Sequence, residues 1–165
     1  MTNQLFYAKG IFMIPFFILS LVAMTSCTTS TSRITEQEVK DLFNSYFFEL
    51  SVDSEGRDGV YDLITSDYYL FENEKKYSMP EFLEFVDSFD IVDDNWMFSD
   101  FDISIDENSA HVTLKNSGRF IVNVESGRQQ LDYDWLESAY IVREDGELKF
   151  KFYFSDTVSL TVTDL

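Results

Sequence analysis

The stretch from Asp132 to Ser155 constrains the fold most, because its pattern suits an antiparallel ribbon with one dry face. Leu148, Phe150, Phe152 and Phe154 alternate with Lys149, Lys151 and Tyr153, the period of two that sends successive side chains to opposite faces of a strand. Asp145-Gly146 stands where the chain must reverse, and such a dipeptide between alternating segments suits a tight turn whose central residues need positive φ. Around that turn Ile141 is expected opposite Phe150, Ala139 opposite Phe152 and Glu137 opposite Phe154, since cross-strand partners share a face. The inner face is then aromatic, and one acid points into it.

The same alternation runs upstream. From Trp96 onward, Phe101, Ile103 and Ile105 share one face and Asp102, Ser104 and Asp106 the other. A turn at Glu107-Asn108 leads to a strand in which Val112, Leu114, Phe120, Val122 and Val124 share one parity, and a turn near Ser126-Gly127 returns the chain to the ribbon. Two-residue turns pair Ile103 with Val112, Val122 with Leu131, Phe120 with Tyr133, Gly118 with Trp135, Asn116 with Glu137 and Leu114 with Ala139. The apolar parity agrees across all four strands, and a slip of one residue would destroy that agreement. Gly118 opposite a large ring predicts a bend or bulge whose space the ring fills.

Helices precede these strands. Thr35 and Glu38 form a capping box, after which Val39, Leu42, Phe43, Tyr46, Phe47 and Leu50 recur as one helical stripe. Ser78 and Glu81 form a second box with Pro80 in the first turn, and Phe82, Phe85, Val86 and Phe89 predict a helix over 79–89. Between them, Gly56 and Gly59 interrupt the chain; Val60, Tyr61, Leu63 and Ile64 suggest one or two helical turns, and Asp67 to Phe71 a short strand.

The fold class expected is α+β, with N-terminal helices packed on a curved antiparallel β-meander to form a cone. The run from Trp135 to Phe154, with its Arg143-Glu-Asp-Gly-Glu-Leu-Lys149 turn, resembles the closing hairpin of SnoaL-like domains, in the superfamily of nuclear transport factor two and ketosteroid isomerase. That resemblance covers Ile34 to Ser155 and implies a cystatin-like cone with a cavity between helices and sheet. It implies no reaction, because that superfamily mixes enzymes, ligand binders and protein-binding modules.

The amino terminus carries an address. Ile11 to Met24 is a run of fourteen residues, almost all apolar, after Lys9, shorter than the about 20 that a membrane-spanning helix needs. It reads as a secretory signal. Leu21-Val-Ala-Met-Thr-Ser-Cys27 resembles the lipobox of bacterial lipoproteins, with Met24 where Leu is usual and Thr25 where Ala or Ser is usual. This resemblance implies cleavage before Cys27 and lipidation of its sulfur. The expected organisation is a lipoprotein signal peptide over 1–26, a Ser/Thr/Arg tether over 27–33 and one α+β domain over 34–165, held at the bacterial cell envelope. A chain of 165 residues with 45% hydrophobic content is sized for one such core.

Charge and residue inventory exclude several functions. Twelve Lys and Arg against thirty Asp and Glu leave a net charge of -18, which repels nucleic-acid backbones. The acidic surface suits solubility or a basic protein partner. One cysteine cannot form an internal disulfide or a Cys-x-x-Cys pair. No cofactor loop is present, and Asp53-Ser-Glu55-Gly-Arg-Asp58-Gly lacks the spacing and final Glu of a calcium loop. Asp87, Asp90, Asp93 and Asp94 read as a solvated helix end rather than a metal cage. His111, opposite Ser104 on the outward parity, reads as a surface residue.

The constellation left is Asn116 and Glu137 on the concave face among Tyr133, Trp135, Phe154 and Leu114. A carboxyl there must be hydrogen-bonded, solvated by a cavity or protonated. Asn116, Tyr133, Trp135, Glu137 and Phe154 are therefore the candidate ligand-binding residues, and Glu137 the candidate catalytic one. Two functional classes follow. One is a membrane-anchored, non-catalytic binding domain that takes a small apolar ligand in its cavity or a protein on its acidic face. The other is an isomerase or lyase using Glu137 as acid or base, with Tyr46 or Tyr133 as hydrogen-bond donors. The address makes a direct prediction: metabolic labelling with a fatty-acid analogue should mark the wild-type chain and leave Cys27→Ala unmarked, and equal labelling rejects lipidation.

Overall fold

The structure, a computed structural model, describes residues 33–165. The signal run, Cys27 and the tether up to residue 32 lie outside the described residues. In order come α1 (Glu36–Leu50), a 3-10 turn (Asp58–Asp62), β1 (Ile64–Glu72), β2 (Lys75–Tyr77), α2 (Met79–Asp87), β3 (Ile91–Ile105), β4 (Ser109–Val124), β5 (Gly127–Glu144) and β6 (Glu147–Asp164). The strands form one mixed sheet in the order β2-β1-β6-β5-β4-β3.

Local chemistry accounts for these boundaries. Thr35 Oγ1 accepts from the Glu38 amide, and the Glu38 carboxylate accepts from the Thr35 amide, closing the first box at α1. The Glu81 carboxylate accepts from the Ser78 amide at the start of α2. α1 buries the whole expected stripe, Val39, Leu42, Phe43, Tyr46, Phe47 and Leu50. Phe43 meets the Phe150 ring edge-on at 5.0 Å and Tyr46 meets it at 4.8 Å, contacts worth about 0.5–1.5 kcal/mol each beyond burial. The helix thus lies on the concave face of the meander.

The meander β3–β6 is antiparallel as expected, with Ile103 opposite Val112 and Ile141 opposite Phe150. Asp145 and Gly146, at φ 54° and 92°, form its closing turn. Two registers differ from expectation. Val124 pairs with Gly127, so the β4–β5 turn is Glu125-Ser126 and every pair moves by two: Val122 faces Gln129, Phe120 Leu131, Gly118 Tyr133, Asn116 Trp135, Leu114 Glu137 and Val112 Ala139. A slip of two preserves the faces, so the parity argument survives the wrong partners.

The second difference changes faces. Ile141 pairs with Phe150 but Tyr140 pairs with Phe152, which leaves Lys151 as a one-residue bulge in β6. Beyond it the alternation inverts. Tyr153 and Ser155 point inward and are buried, whereas Phe152 packs on Tyr69 at 5.2 Å and Phe154 is 40% exposed. The expected partners of Ala139 and Glu137 are accordingly replaced by Tyr153 and Ser155.

β1 extends further than the short strand expected and joins β6 in parallel, Tyr69 beside Phe152 and Phe71 beside Phe154. Asn73 and Glu74, both at positive φ, turn it back into β2. α2 ends at Asp87, two residues before the expected end; the Ser88 hydroxyl donates to the Phe85 carbonyl there. No helix among the described residues is long and apolar enough to cross a membrane.

Gly118 is needed for space. A Cβ there would lie 2.7 Å from Trp135 Cζ3 and 2.8 Å from Phe120 Cε2, so the Trp135 ring does fill the gap, from a diagonal position rather than the opposite one. Gly118→Ala should lower stability by about 1–3 kcal/mol through this overlap, outweighing the few tenths to 1 kcal/mol that a lost glycine returns through the unfolded chain. Thermal denaturation checks this, and a higher midpoint for the variant would show that the ring is not held.

Candidate functional site

Between α1, α2 and the inner face of β3–β6 lies a cavity of about 120 Å³. α1 supplies Tyr46 and Phe47, α2 supplies Phe82, Phe85 and Val86, and the sheet supplies Trp96, Phe120, Tyr133, Trp135, Glu137 and Tyr153. The exposed Asn73 and Phe89 stand at its rim and Glu72 lies just inside. The aromatic wall is ordered by mutual packing: Tyr133 stacks on Trp135 at 4.8 Å, and Trp96 covers the Trp135 ring system at 5.8 Å.

Glu137 forms the floor of this cavity and is 5% exposed. Asn116, 1% exposed, donates its Nδ2 to Glu137 Oε1 at 3.2 Å, and the Tyr153 hydroxyl donates to Oε2. Burial pushes the Glu137 carboxyl up to about 7, because desolvation disfavours the charged form. The hydrogen bonds from Tyr153 and Asn116 oppose that rise, and the charge of Glu72 adds to it. Glu72 is itself raised, first by burial and then by Asp156, against a hydrogen bond from Ser155. Tyr133 is raised by burial and by Glu72.

Behind Glu137 a buried tyrosine cluster runs back to β1. The Tyr46 and Tyr68 hydroxyls share a hydrogen bond of 2.8 Å, and the Tyr46 ring stacks on Tyr153 at 5.9 Å. Burial raises all three phenols, so they remain neutral donors at ordinary pH. Asn116 Oδ1 and the indole Nε1 atoms of Trp96 and Trp135 are buried with no partner among the described residues. Such atoms are uncommon in a folded interior.

Three of the five expected ligand-binding residues, Tyr133, Trp135 and Glu137, line the cavity, and Asn116 stands behind Glu137 as its hydrogen-bond donor. Phe154 does not, because the Lys151 bulge turns it to the outer face. Tyr46 lines the cavity but bonds Tyr68 rather than Glu137. Sequence reasoning missed Tyr153 and Glu72. The only hint of Tyr153 was an aromatic ring at a position of otherwise lysine parity; Glu72 sits at the end of a strand whose length and parallel pairing left no local signature.

Of the remaining candidates, Asp94 lines the cavity and the others lie elsewhere. His111 is exposed, opposite Ser104, and its Nε2 is 3.0 Å from Ser138 Oγ. Asp87 pairs with Arg57, Asp90 accepts from Asn123, and Asp94 accepts from the Val52 amide at 2.9 Å. Among the described residues no group of three His, Cys, Asp or Glu side chains could hold a metal ion.

A carboxyl near 7 is present in both forms around neutrality, so it can take or release a proton or meet a charged ligand. In the apo protein its carboxyl signal in an NMR titration should move with a midpoint near 7, well above the ordinary value of about 4.3. Tyr153→Phe removes a bond that favours the ionised form and should raise the midpoint by about one further pH unit. A wild-type midpoint at or below the ordinary carboxyl range would mean that the group is solvated.

No protein-family model and no curated protein matches the chain. Solved structures do. A type 2 hexachlorocyclohexane dehydrochlorinase, LinA, aligns with a TM-score of 0.65 at 14% identity, over 78% of this chain and 88% of that one. A candidate scytalone dehydratase from Novosphingobium aromaticivorans aligns at 0.63 with 16% identity, over 78% and 87%. LinA type 3 from Novosphingobium barchaimii aligns at 0.60 with 16% identity, over 77% and 88%. At such identities the likeness speaks for the fold, and the fold is the α+β cone of SnoaL-like, nuclear transport factor two-like domains.

Proposed function

We propose that this chain is a binding domain for a small, largely apolar molecule, held by a lipidated Cys27 at the bacterial cell envelope. The observation that carries this reading is the aromatic cavity ending on Glu137, which Asn116 holds from behind. Its size supports one ring: an apolar protein cavity of about 150 Å³ accommodates benzene, and this one is about 120 Å³. A ligand with a ring inside and a tail passing Glu72 and Asn73 fits those dimensions. The carboxyls of Glu137 and Glu72 give it a few polar anchors in an apolar wall, the usual composition of a small-molecule site. The outer face, where a protein partner was the alternative expected, carries more open concavities, one of them lined by Glu72, Glu74, Phe154 and Asp156.

A second reading, acid-base catalysis of the isomerase or lyase type, is favoured by the Glu137 carboxyl lying near 7 and by structural neighbours that include a dehydrochlorinase and a candidate dehydratase. In that reading Glu137 takes a proton from the substrate while Tyr153 steadies its carboxylate. Against it, Tyr153 and Asn116 already engage both oxygens, and the chain's single histidine is outside the cavity.

Ligand-free stability carries a test. Because the folded carboxyl titrates above the unfolded one, Glu137's contribution is fully present below about 4.3 and is lost as pH rises through about 7. Glu137→Gln should therefore stabilise the empty domain at pH 8, by at most about 4 kcal/mol from the displacement of the carboxyl, and the gain should vanish below pH 4. A polarity-sensitive aromatic dye should bind the wild type with one site and be displaced by Val86→Trp, which fills the cavity from α2. Undiminished dye binding by that variant would place the ligand elsewhere.

A further inference from the structure

We propose that the molecule this cavity takes is an organic cation, a protonated amine on an apolar body about one ring in size. The inference rests on the pocket reading above and adds the sign of the ligand's charge. Among the described residues, every charged one lining the cavity is acidic, Glu72, Asp94 and Glu137, and no Lys, Arg or His lines it. Ring faces carry negative potential and attract cations, and Tyr46, Phe47, Phe82, Phe85, Trp96 and Tyr133 surround those carboxyls.

Three ligand charges can be weighed. An anion would meet three carboxyls inside a chain of net charge -18, with no base to offset it, and is excluded. A neutral body would leave Glu137 and Glu72 in their unfavourable surroundings, each desolvated, Glu137 beside the charge of Glu72 and Glu72 beside that of Asp156. An ammonium would offset both, and its N–H groups match acceptors already placed. Glu137 lines the cavity, and its Oε1 accepts one hydrogen bond, from Asn116 at 3.2 Å, which leaves capacity for a second donor. The groups that face Glu137 are Asn116 on β4, Tyr153 on β6, Tyr46 on α1, and Tyr68 and Glu72 on β1. Glu137 and Glu72 alone among them change charge below the phenol range. An ammonium ligand should therefore bind more tightly as Glu137 ionises.

Benzylamine and its neutral isostere benzyl alcohol test this on the full chain, by calorimetry and tryptophan fluorescence between pH 5 and 8. At pH 8 benzylamine should bind about tenfold more tightly than the alcohol, the preference should shrink toward pH 5, and Glu137→Gln should reduce it to about threefold or less. Glu72→Gln should weaken it partially, and that variant decides the matter if circular dichroism shows Glu137→Gln unfolded. If the alcohol binds as well as the amine at pH 8, the cation proposal fails and the pocket reading stands. If neither binds nor perturbs the indole fluorescence, both fail.

Discussion

The contact on which the rest of the structure depends is that of α1 with the middle of β6. Phe43 and Tyr46 seat on Phe150, and Tyr46 stacks on Tyr153. Phe150 and Tyr153 are three apart and could not share a face in a regular strand. The Lys151 bulge lets them do so, and it leaves the displaced lysine on the outer face, where it pairs with Asp67 at 2.6 Å. One extra residue in the strand therefore completes the helix-sheet core and brings a hydroxyl to Glu137. Large aromatic burial on this scale, about 1.5–3 kcal/mol per side chain, is what can hold a carboxyl under the sheet.

Glu137 is the expense that this core supports. Leaving it bare would cost several kcal/mol, and two direct donors lower that without removing it, so the carboxyl remains raised. A structural need alone would be met as well by Gln or Leu at this position, and by packing that fills the cavity. Instead the sheet holds open a space beside the acid, and Gly118 makes room for the Trp135 ring that walls it. The combination of a retained cavity and an incompletely compensated acid is the usual trade of stability for a site.

Much of this was legible in the sequence, and the limits have physical causes. Both capping boxes, the α1 stripe, the Asp145-Gly146 turn and the parity of β3 to β5 are local or short-range patterns, and they held. Asn116 and Glu137 were found together because parity places both on the inner face, although the β4–β5 turn was assigned one residue late. The bulge was invisible because Phe150-Lys-Phe-Tyr-Phe154 is equally compatible with an unbroken alternation. Only the packing of α1 decides between Phe152 and Tyr153 for the interior. Parallel pairing of β1 with β6 joins residues about eighty apart, such as Tyr69 and Phe152, and no local signal can report it. Glu72 reaches the cavity through that pairing, so it was missed along with it.

The two walls of the cavity are held very differently, and this bears on what it can admit. The sheet wall belongs to the central strands and to the stacked Tyr133, Trp135 and Trp96. The α2 wall is a nine-residue helix in which only Met79 is fully buried; Phe82, Phe85 and Val86 are partly exposed, and Phe85 leans on Tyr77 and Phe89 at 5.5 and 5.2 Å. Side chains with fewer buried contacts open at lower free energy than those in a sheet core. A body larger than one ring is therefore accommodated by moving α2 rather than by reshaping the floor. In the proposed reading the ligand's polar end would meet rigid groups and its apolar end adaptable ones, so selectivity for charge should exceed selectivity for length.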